Sequence, residues 1–417
     1  MPALAPLFLY DDARARAFEP FALTRPASEL RSGAEVVRRR WELALGAAAA
    51  GFVGAPHLDG FAEPDAPPFA RGPLPAGSIL ANARFSPRLA AAEPDADSWR
   101  AGGRVAAMRL RAPLDVAALA DGRATLDALL GDAGSSHARR GAEIAGWWAD
   151  EVWHYLRDLQ AQLDDDVPRL GESLDCDRAP STTVLGTRGV YVERGAVIEP
   201  LVVLDAAAGP ILVRRGAVVQ SFSRLVGPCF IGEHATIVGD RVSGCSIGET
   251  TKVRGEISAS IVLGHSNKGH DGFVGHSYLG RWVNLGAGTT TSNLKNTYGP
   301  VALATPAGVR DTGMQFLGTL FGDHVKTGIG LRLTTGTVVG AGANVYGSAM
   351  PPKSVPAFAW GDGTPYATFA VDKFLLVAER AMARRQVPLD AEMRRVMTAA
   401  HERAMAAAAA GDGAGAR

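Results

Sequence analysis

Ser266–Tyr298 reads SNKGHDGFVGHSYLGRWVNLGAGTTTSNLKNTY, and within it the pairs Val274-Gly275, Leu279-Gly280 and Leu285-Gly286 recur at about the spacing of a hexapeptide repeat. In such a repeat each short strand forms one side of a triangular coil, and its aliphatic side chain stacks on the equivalent one in the next coil. The pattern predicts a parallel β-solenoid. It says nothing about chemistry, because a stack of strands needs no catalytic group to be stable. The same stretch is dense in His, Asn and Lys, and that density makes it a candidate site.

Working upstream, the hexads continue through Val192, Ile198 and Leu204, then Val213, Val219 and Leu225, then Ile231 and Ile237, then Ile247 and Val253, with breaks at AAAGP (206–210) and GDRVSG (239–244). Downstream, the next regular set is Leu333, Val339 and Val345. Between Gly288 and that set lies TTTSNLKNTYGPVALATPAGVRDTGMQ (289–315), an insertion that must leave the coil at one corner as an arm or loop. Pro351, Pro352 and Pro356 end the repeat, since proline cannot donate to a strand ladder. Asp372–Arg385 and Leu389–Ala406 have the spacing of two amphipathic helices separated by Pro388, and residues 407–417 read as a disordered tail.

Toward the N-terminus, Leu7–Tyr10 has strand character and Ser28–Glu42 the apolar spacing of a helix, an opening that suits an α/β nucleotide-binding domain. The intervening DDARARAFEPFALTRP (11–26) has no glycine, whereas amides that cradle a triphosphate need close backbone approach. Asp11 and Asp12 would repel phosphates, and Arg14, Arg16 and Arg25 are the nucleotide-binding candidates. The competing expectation is a folded cap in which Arg25 pairs with Glu29 or Glu35. Ser78–Phe85 and Arg104–Leu110 read as strands, and Asp115–Leu130 and Gly141–Leu163 as helices. The second of these carries Trp147, Trp148 and Trp153 as a packing face expected to dock on the first coil. Asp164–Asp166 is read as a solvated helix end or linker, not as a metal site. The expected domains are 1–170 (α/β), 183–360 (β-helix), 361–406 (helical cap) and the tail.

The 417 residues include 43 basic and 43 acidic side chains, so no global field recruits nucleic acid or an anionic membrane, and any phosphate must be held locally. Cys176, Cys229 and Cys245 lack metal-ligand spacing and fit packing roles in a reducing compartment. No window approaches the run of about eighteen apolar residues that spans a bilayer, and the expected location is the cytoplasm.

Aligned on VNLGAG, the segment HDGFVG resembles without a gap the site of the bifunctional N-acetylglucosamine-1-phosphate uridyltransferase and glucosamine-1-phosphate N-acetyltransferase family. LTRPASELRSG, SNKGHDGF, TSNLKNTYG and TGMQFLGTLFGDH look like a divergent bacterial branch of it. The resemblance implies a degenerate nucleotidyltransferase-like α/β domain, a left-handed parallel β-helix and C-terminal helices, assembled as a homotrimer. It implies acetyl-CoA as acyl donor to a sugar phosphate in UDP-N-acetylglucosamine or related amino-sugar nucleotide synthesis. UTP and Mg2+ enter only if the N-terminal domain transfers nucleotides.

On this resemblance His270 is the base, Asn284 binds the sugar, Asn293 lies near the reacting amine and the base, and the Ala287 amide contacts acetyl-CoA. Imidazole, with an ordinary pKa of about 6.5, suits the removal of a proton from an attacking amine. His265 and His276 are the local rivals. Phe273 stands where the family has a sugar-phosphate-binding Tyr, and Ser258 near the position of a Lys, so Arg254, Lys268 or Lys295 would have to substitute. Ile329 replaces a coenzyme A-binding serine, and the C-terminal arginine that holds coenzyme A is not matched. The alternatives left open are a sugar-1-phosphate nucleotidyltransferase with a regulatory β-helix, and a non-catalytic scaffold or sugar-nucleotide binding protein.

Overall fold

A computed structural model of the chain describes residues 5–132, 140–177, 180–363 and 365–414. They form two compact units: Met1–Phe18 with Ala22–His154 and Asp390–Glu402, and Glu19–Phe21 with Tyr155–Leu389 and Arg403–Arg417.

The first unit is built on a six-stranded sheet. Leu7–Tyr10 lies between Ala49–Val53 and Ile79–Asn82, parallel to both, and antiparallel Arg104–Arg109 and Ser98–Ala101 follow beside Ile79–Asn82. Phe8, Tyr10, Leu80, Val105 and Met108 pack one face against Leu119 and Leu126. Two expected helices are not found as such. Asp115–Leu130 contains only a 3-10 turn at Val116–Leu119 and a short helix at Leu126–Asp132. Gly141–Glu143 and Gly146–Trp148 are strands, so the adjacent rings of Trp147 and Trp148 point to opposite sides. Trp147 lies under Arg40 and Arg88, and Trp148 under Arg84 and Arg104, all within this unit.

The second unit is the expected solenoid. One sheet of ten strands runs its length from Cys176–Asp177 to Ser354–Val355, and the other two sides are sheets of six and five strands over the earlier coils, continued by shorter sheets beyond them. Strand register stacks Val192, Val213, Ile231, Ile247, Val262, Leu279, Phe321, Val339 and Val355 in one inward column, all buried in a single core. Leu204, Leu225, Val242, Ile257 and Val274 form the second column. The third runs Ile198, Val219, Ile237, Val253 and then, in an aliphatic position, Lys268.

The helix Leu159–Ser173 belongs to this unit and packs along the first coils, with Gln160 donating to the Gly244 carbonyl at 2.8 Å. Asp164–Asp166 therefore lies inside a helix, not at a solvated end, and Asp166 is fully buried. The insertion forms an antiparallel hairpin, Ala302–Thr305 with Gly308–Asp311. Two helices close the chain, Val371–Ala383 and Ala391–Ala414. The last runs through most of the stretch expected to be disordered, consistent with the strong helix preference of its alanines, and residues 415–417 lie outside the described residues. No described helix is long and apolar enough to cross a membrane.

Candidate active site

One corner of the coil repeatedly takes the left-handed backbone conformation, at Gly216, His234, Thr250, His265, Trp282 and His324 (φ +53° to +69°). Two residues further along each coil the side chains face outward, and register stacks Lys252, Asn267, Asn284 and Lys326 in one column. Asn267 Nδ2 donates to Asn284 Oδ1 at 2.9 Å, so Asn284 joins an amide ladder of the kind that stabilises stacked coils. The column forms the wall of a cavity of about 520 Å³ that also borders His270 and, from beyond the helix Val371–Ala383, Arg384 and Arg385. Trp282 also lines it, its ring centroid 4.5 Å from that of His265, tilted, and 6.1 Å from that of His324, stacked.

His270 is exposed at the next corner and also borders a second cleft, lined by Ala287, Gly288, Gly330, Ile329, Arg254 and Asp271. The corner is held from inside. Lys268 is 2 % exposed, and its Nζ donates to the carbonyls of His270, Asp271 (2.9 Å) and Arg254 (3.2 Å). Burial pulls its pKa down to about 8, against the opposing attraction of Asp271 and Asp240. The expectation that Lys268 substitutes as a sugar-phosphate ligand is therefore not met, because its ammonium is engaged inside the coil. Lys295 likewise donates to the Pro300 carbonyl. Arg254 stays on the surface, at 3.0 Å from Asp271 and 3.4 Å from Asp240.

The side-chain hydrogen bond of Asn293 is to His276, not to His270. The Asn293 Nδ2 lies 2.9 Å from His276 Nδ1, and the His276 ring stacks on Phe316 with centroids 5.2 Å apart. Phe273 belongs to the same cluster: a Cβ added at Gly275 would stand 2.5 Å from the Phe273 ring and 2.7 Å from the Asn293 amide. Burial lowers the pKa of His276. The sequence residues thus fall into two groups, His270 with Asn284, Ala287 and Arg254, and His276 with Asn293 and Phe273.

Sequence reasoning missed Lys252, Lys326, Arg384 and Arg385. Lys326 Nζ donates to the carbonyls of Trp282 (2.6 Å) and His324 (3.3 Å), and burial brings its pKa to about 8. Hexad position was the available signal for the two lysines. For the two arginines there was none, since they follow a helix with no repeat to index them.

In the first unit, the loop after Leu7–Tyr10 is filled from within. Asp12 accepts from Arg84, from Asn82 Nδ2 and from the Ala15 amide, and Asp11 accepts from the Ala27 amide. Burial raises the Asp11 pKa to about 7, while Arg84 holds that of Asp12 below its ordinary value against burial. Arg14 reaches Asp150, and Arg16 donates to the carbonyls of Asp11, Ala120 and Leu119. Arg25, 1 % exposed, pairs with Glu63 at 2.8 Å. Glu29 is taken by Arg38. Among the described residues no group of three His, Cys, Asp or Glu is placed to hold a metal ion.

Residues 7–173 match the family model described as sugar nucleotidyl transferase. A bifunctional sugar-1-phosphate nucleotidylyltransferase/acetyltransferase of Sulfurisphaera tokodaii is 32% identical over 100 residues, 24% of this chain and 25% of that protein. The bifunctional protein GlmU of Methanococcus maripaludis is 25% identical over 217 residues, 52% of this chain and 47% of that protein. These matches span about a quarter to a half of the relatives' lengths. Among solved structures, a mutant of AntD, an N-acyltransferase from Bacillus cereus, is 14% identical, covering 52% of this chain and 96% of that one at a TM-score of 0.20. Residues 7–173 thus resemble the sugar nucleotidyl transferase family, and parts of the chain resemble curated bifunctional nucleotidylyltransferase/acetyltransferase proteins.

Proposed function

We propose that the protein is a transferase that acylates the amine of a phosphorylated amino sugar, with acetyl-CoA as donor and glucosamine-1-phosphate the first acceptor to test. The observation that carries this is the position of His270, exposed where the cation- and amide-lined cavity meets the cleft beside Ala287. An acceptor amine on one side and a thioester on the other would both be within its reach. The amine nitrogen attacks the thioester carbonyl, the new C–N bond forms as the C–S bond breaks, His270 takes the amine proton, and the coenzyme A thiolate leaves and is protonated. The Ala287 amide has no hydrogen-bond partner among the described residues and serves as a donor to the developing oxyanion. Release of coenzyme A thiol with acetyl-CoA and glucosamine-1-phosphate tests this directly. No release with any sugar phosphate across a panel would overturn it.

A second reading places the base at His276, because it has the orienting hydrogen bond, from Asn293, that His270 lacks. Separate alanine variants distinguish the two.

Nucleotidyl transfer is expected to be absent. Loop amides that could hold a phosphate are capped by the chain's own carboxylates, at Ala15 by Asp12 and at Ala27 by Asp11. With UTP, Mg2+ and N-acetylglucosamine-1-phosphate, no pyrophosphate should form above background. A turnover that Arg25→Ala abolished in a folded protein would reverse this conclusion.

The assembly is proposed to be a homotrimer. Leu201 and Phe222 sit one above the other on adjacent coils, 67% and 75% exposed, and flank an outer face that a neighbouring copy would cover. Light scattering should give three times the 43.5 kDa chain mass, and a stable monomer at micromolar concentration excludes the trimer.

A further inference from the structure

Most basic side chains along the solenoid are paired. Arg214 meets Glu193 and Glu233, Arg224 meets Asp205, Arg281 meets Glu249, and Arg254 meets Asp240 and Asp271. The cavity bordered by His270 departs from this rule. Lys252, Lys326, Arg384, Arg385, His265 and His270 all line it, and among the described residues no carboxylate does. Arg384, Arg385 and Lys252 have no side-chain hydrogen bond or ion pair among the described residues. Adjacent arginines repel, and burial together with Arg384 lowers the Arg385 pKa, so the ligand-free arrangement is electrostatically unfavourable. Exposed arginines at a helix end are commonly just solvated. Convergence on a concave wall already carrying the unpaired Lys252, with nothing acidic among the described residues that line it, is not the arrangement solvation produces.

We propose that this cavity anchors a phosphate group, with Arg384 and Arg385 closing over it from the end of the helix Val371–Ala383 and Lys252 facing them from the coils, while Lys326, whose ammonium is held by the Trp282 and His324 carbonyls, adds positive charge to the wall without being a direct ligand. This rests on the acyltransferase reading for the identity of the ligand, not for the presence of the anion site. The volume, about 520 Å³, lies within the usual range of ligand cavities, roughly 300–1,000 Å³, and exceeds what a bare phosphate fills. The amides of Asn267 and Asn284 in the same wall can meet the hydroxyls of an attached sugar. Trp282 is 7% exposed and its ring already lies against His265 and His324, so it offers little surface on which a nucleobase could stack. The shared chemistry is a phosphate ester, which the acceptor sugar or coenzyme A could supply. Guanidinium pairs suit it through bidentate, charge-assisted hydrogen bonds.

Calorimetric titration of the full chain separates these sources without requiring turnover. The probes are glucosamine-1-phosphate against glucosamine, and coenzyme A against 3′-dephospho-coenzyme A. The variants are Arg384→Gln, Arg385→Gln and the double variant. Arg380→Gln, on the same helix but outside the cavity, is the charge control. The double variant should weaken at least one phosphate-bearing probe by tenfold or more, about the worth of one lost charge-assisted hydrogen bond. Its phosphate-free counterpart and the Arg380→Gln protein should be unaffected. Loss confined to glucosamine-1-phosphate assigns the site to the acceptor, and loss confined to coenzyme A assigns it to the donor. Unchanged binding in the double variant, equal loss for both members of a pair, or no binding of either phosphate probe to the wild type at millimolar concentration overturns the proposal. Binding as expected with no acyl transfer would instead remove the catalytic reading and leave the anion site standing.

Discussion

His270→Ala should slow acyl transfer by roughly a hundredfold to ten-thousandfold, the usual contribution of a positioned general base. The protein should stay folded. The side chain is exposed at a corner and its ring has no partner among the described residues, so its loss opens no cavity and should change stability by under about 1 kcal/mol. His276→Ala should do the reverse. It removes the Asn293 contact and the Phe316 stack, costing on the order of 1 kcal/mol while leaving most of the rate. Steady-state rates and melting curves on both variants decide between the two histidines. If His276→Ala abolished transfer and His270→Ala did not, the base would be reassigned.

The second large effect is expected at Lys268. Lys268→Met fills the aliphatic position of the column with a side chain of similar length but leaves the carbonyls of Arg254, His270 and Asp271 without their donor. Freed to shift by about an ångström, the His270 corner should lose on the order of a hundredfold in kcat with little change in KM.

Titration of Lys268 gives a readout that a merely structural role would not move. Its folded pKa, about 8, lies below the ordinary value of 10.5, so between these pH values the unfolded chain binds more protons than the folded one. Stability should therefore rise with pH across this window, the cost of burying the ammonium being fully present only below it. The rate should fall over the same window, as the ammonium gives up one of the protons it shares among three carbonyls. In Lys268→Met the alkaline limb of the rate should be missing and the stability slope reduced, the remainder coming from Lys326, whose pKa burial also brings to about 8. A variant with wild-type kcat and an unchanged alkaline limb would remove Lys268 from any positioning role.

The solenoid was legible in the sequence because an inward column tolerates only one kind of side chain, and Val192, Ile231 and Val339 repeat it often enough to count. The α/β unit was harder. Trp147 and Trp148 suggested helical spacing, yet their rings pack on opposite sides of a strand under arginines remote in sequence. No local propensity encodes such partners. Around the site, the motif led to His270 and Asn284, which the structure does bring to one cavity. It failed at Lys268, where charge suggested a ligand and column position gives a buried brace, and at Asn293, whose partner depends on how the 289–315 insertion returns to the coil. Arg384 and Arg385 were invisible because convergence of a helix end on a coil face is a property of the assembled chain alone.

The outward column Lys252, Asn267, Asn284 and Lys326 runs on in register through Asn344 to Trp360, after which comes the helix that leads to the two arginines. Each coil advances the column by about 4.8 Å. The coils on that side therefore act as a ruler. Deleting or duplicating one of them would slide the arginines by a full rung from the lysine they face, while gaining or losing a coil ahead of Lys252 would leave the spacing untouched. Variation in repeat number among proteins of this architecture should accordingly be confined to the N-terminal side of the cavity.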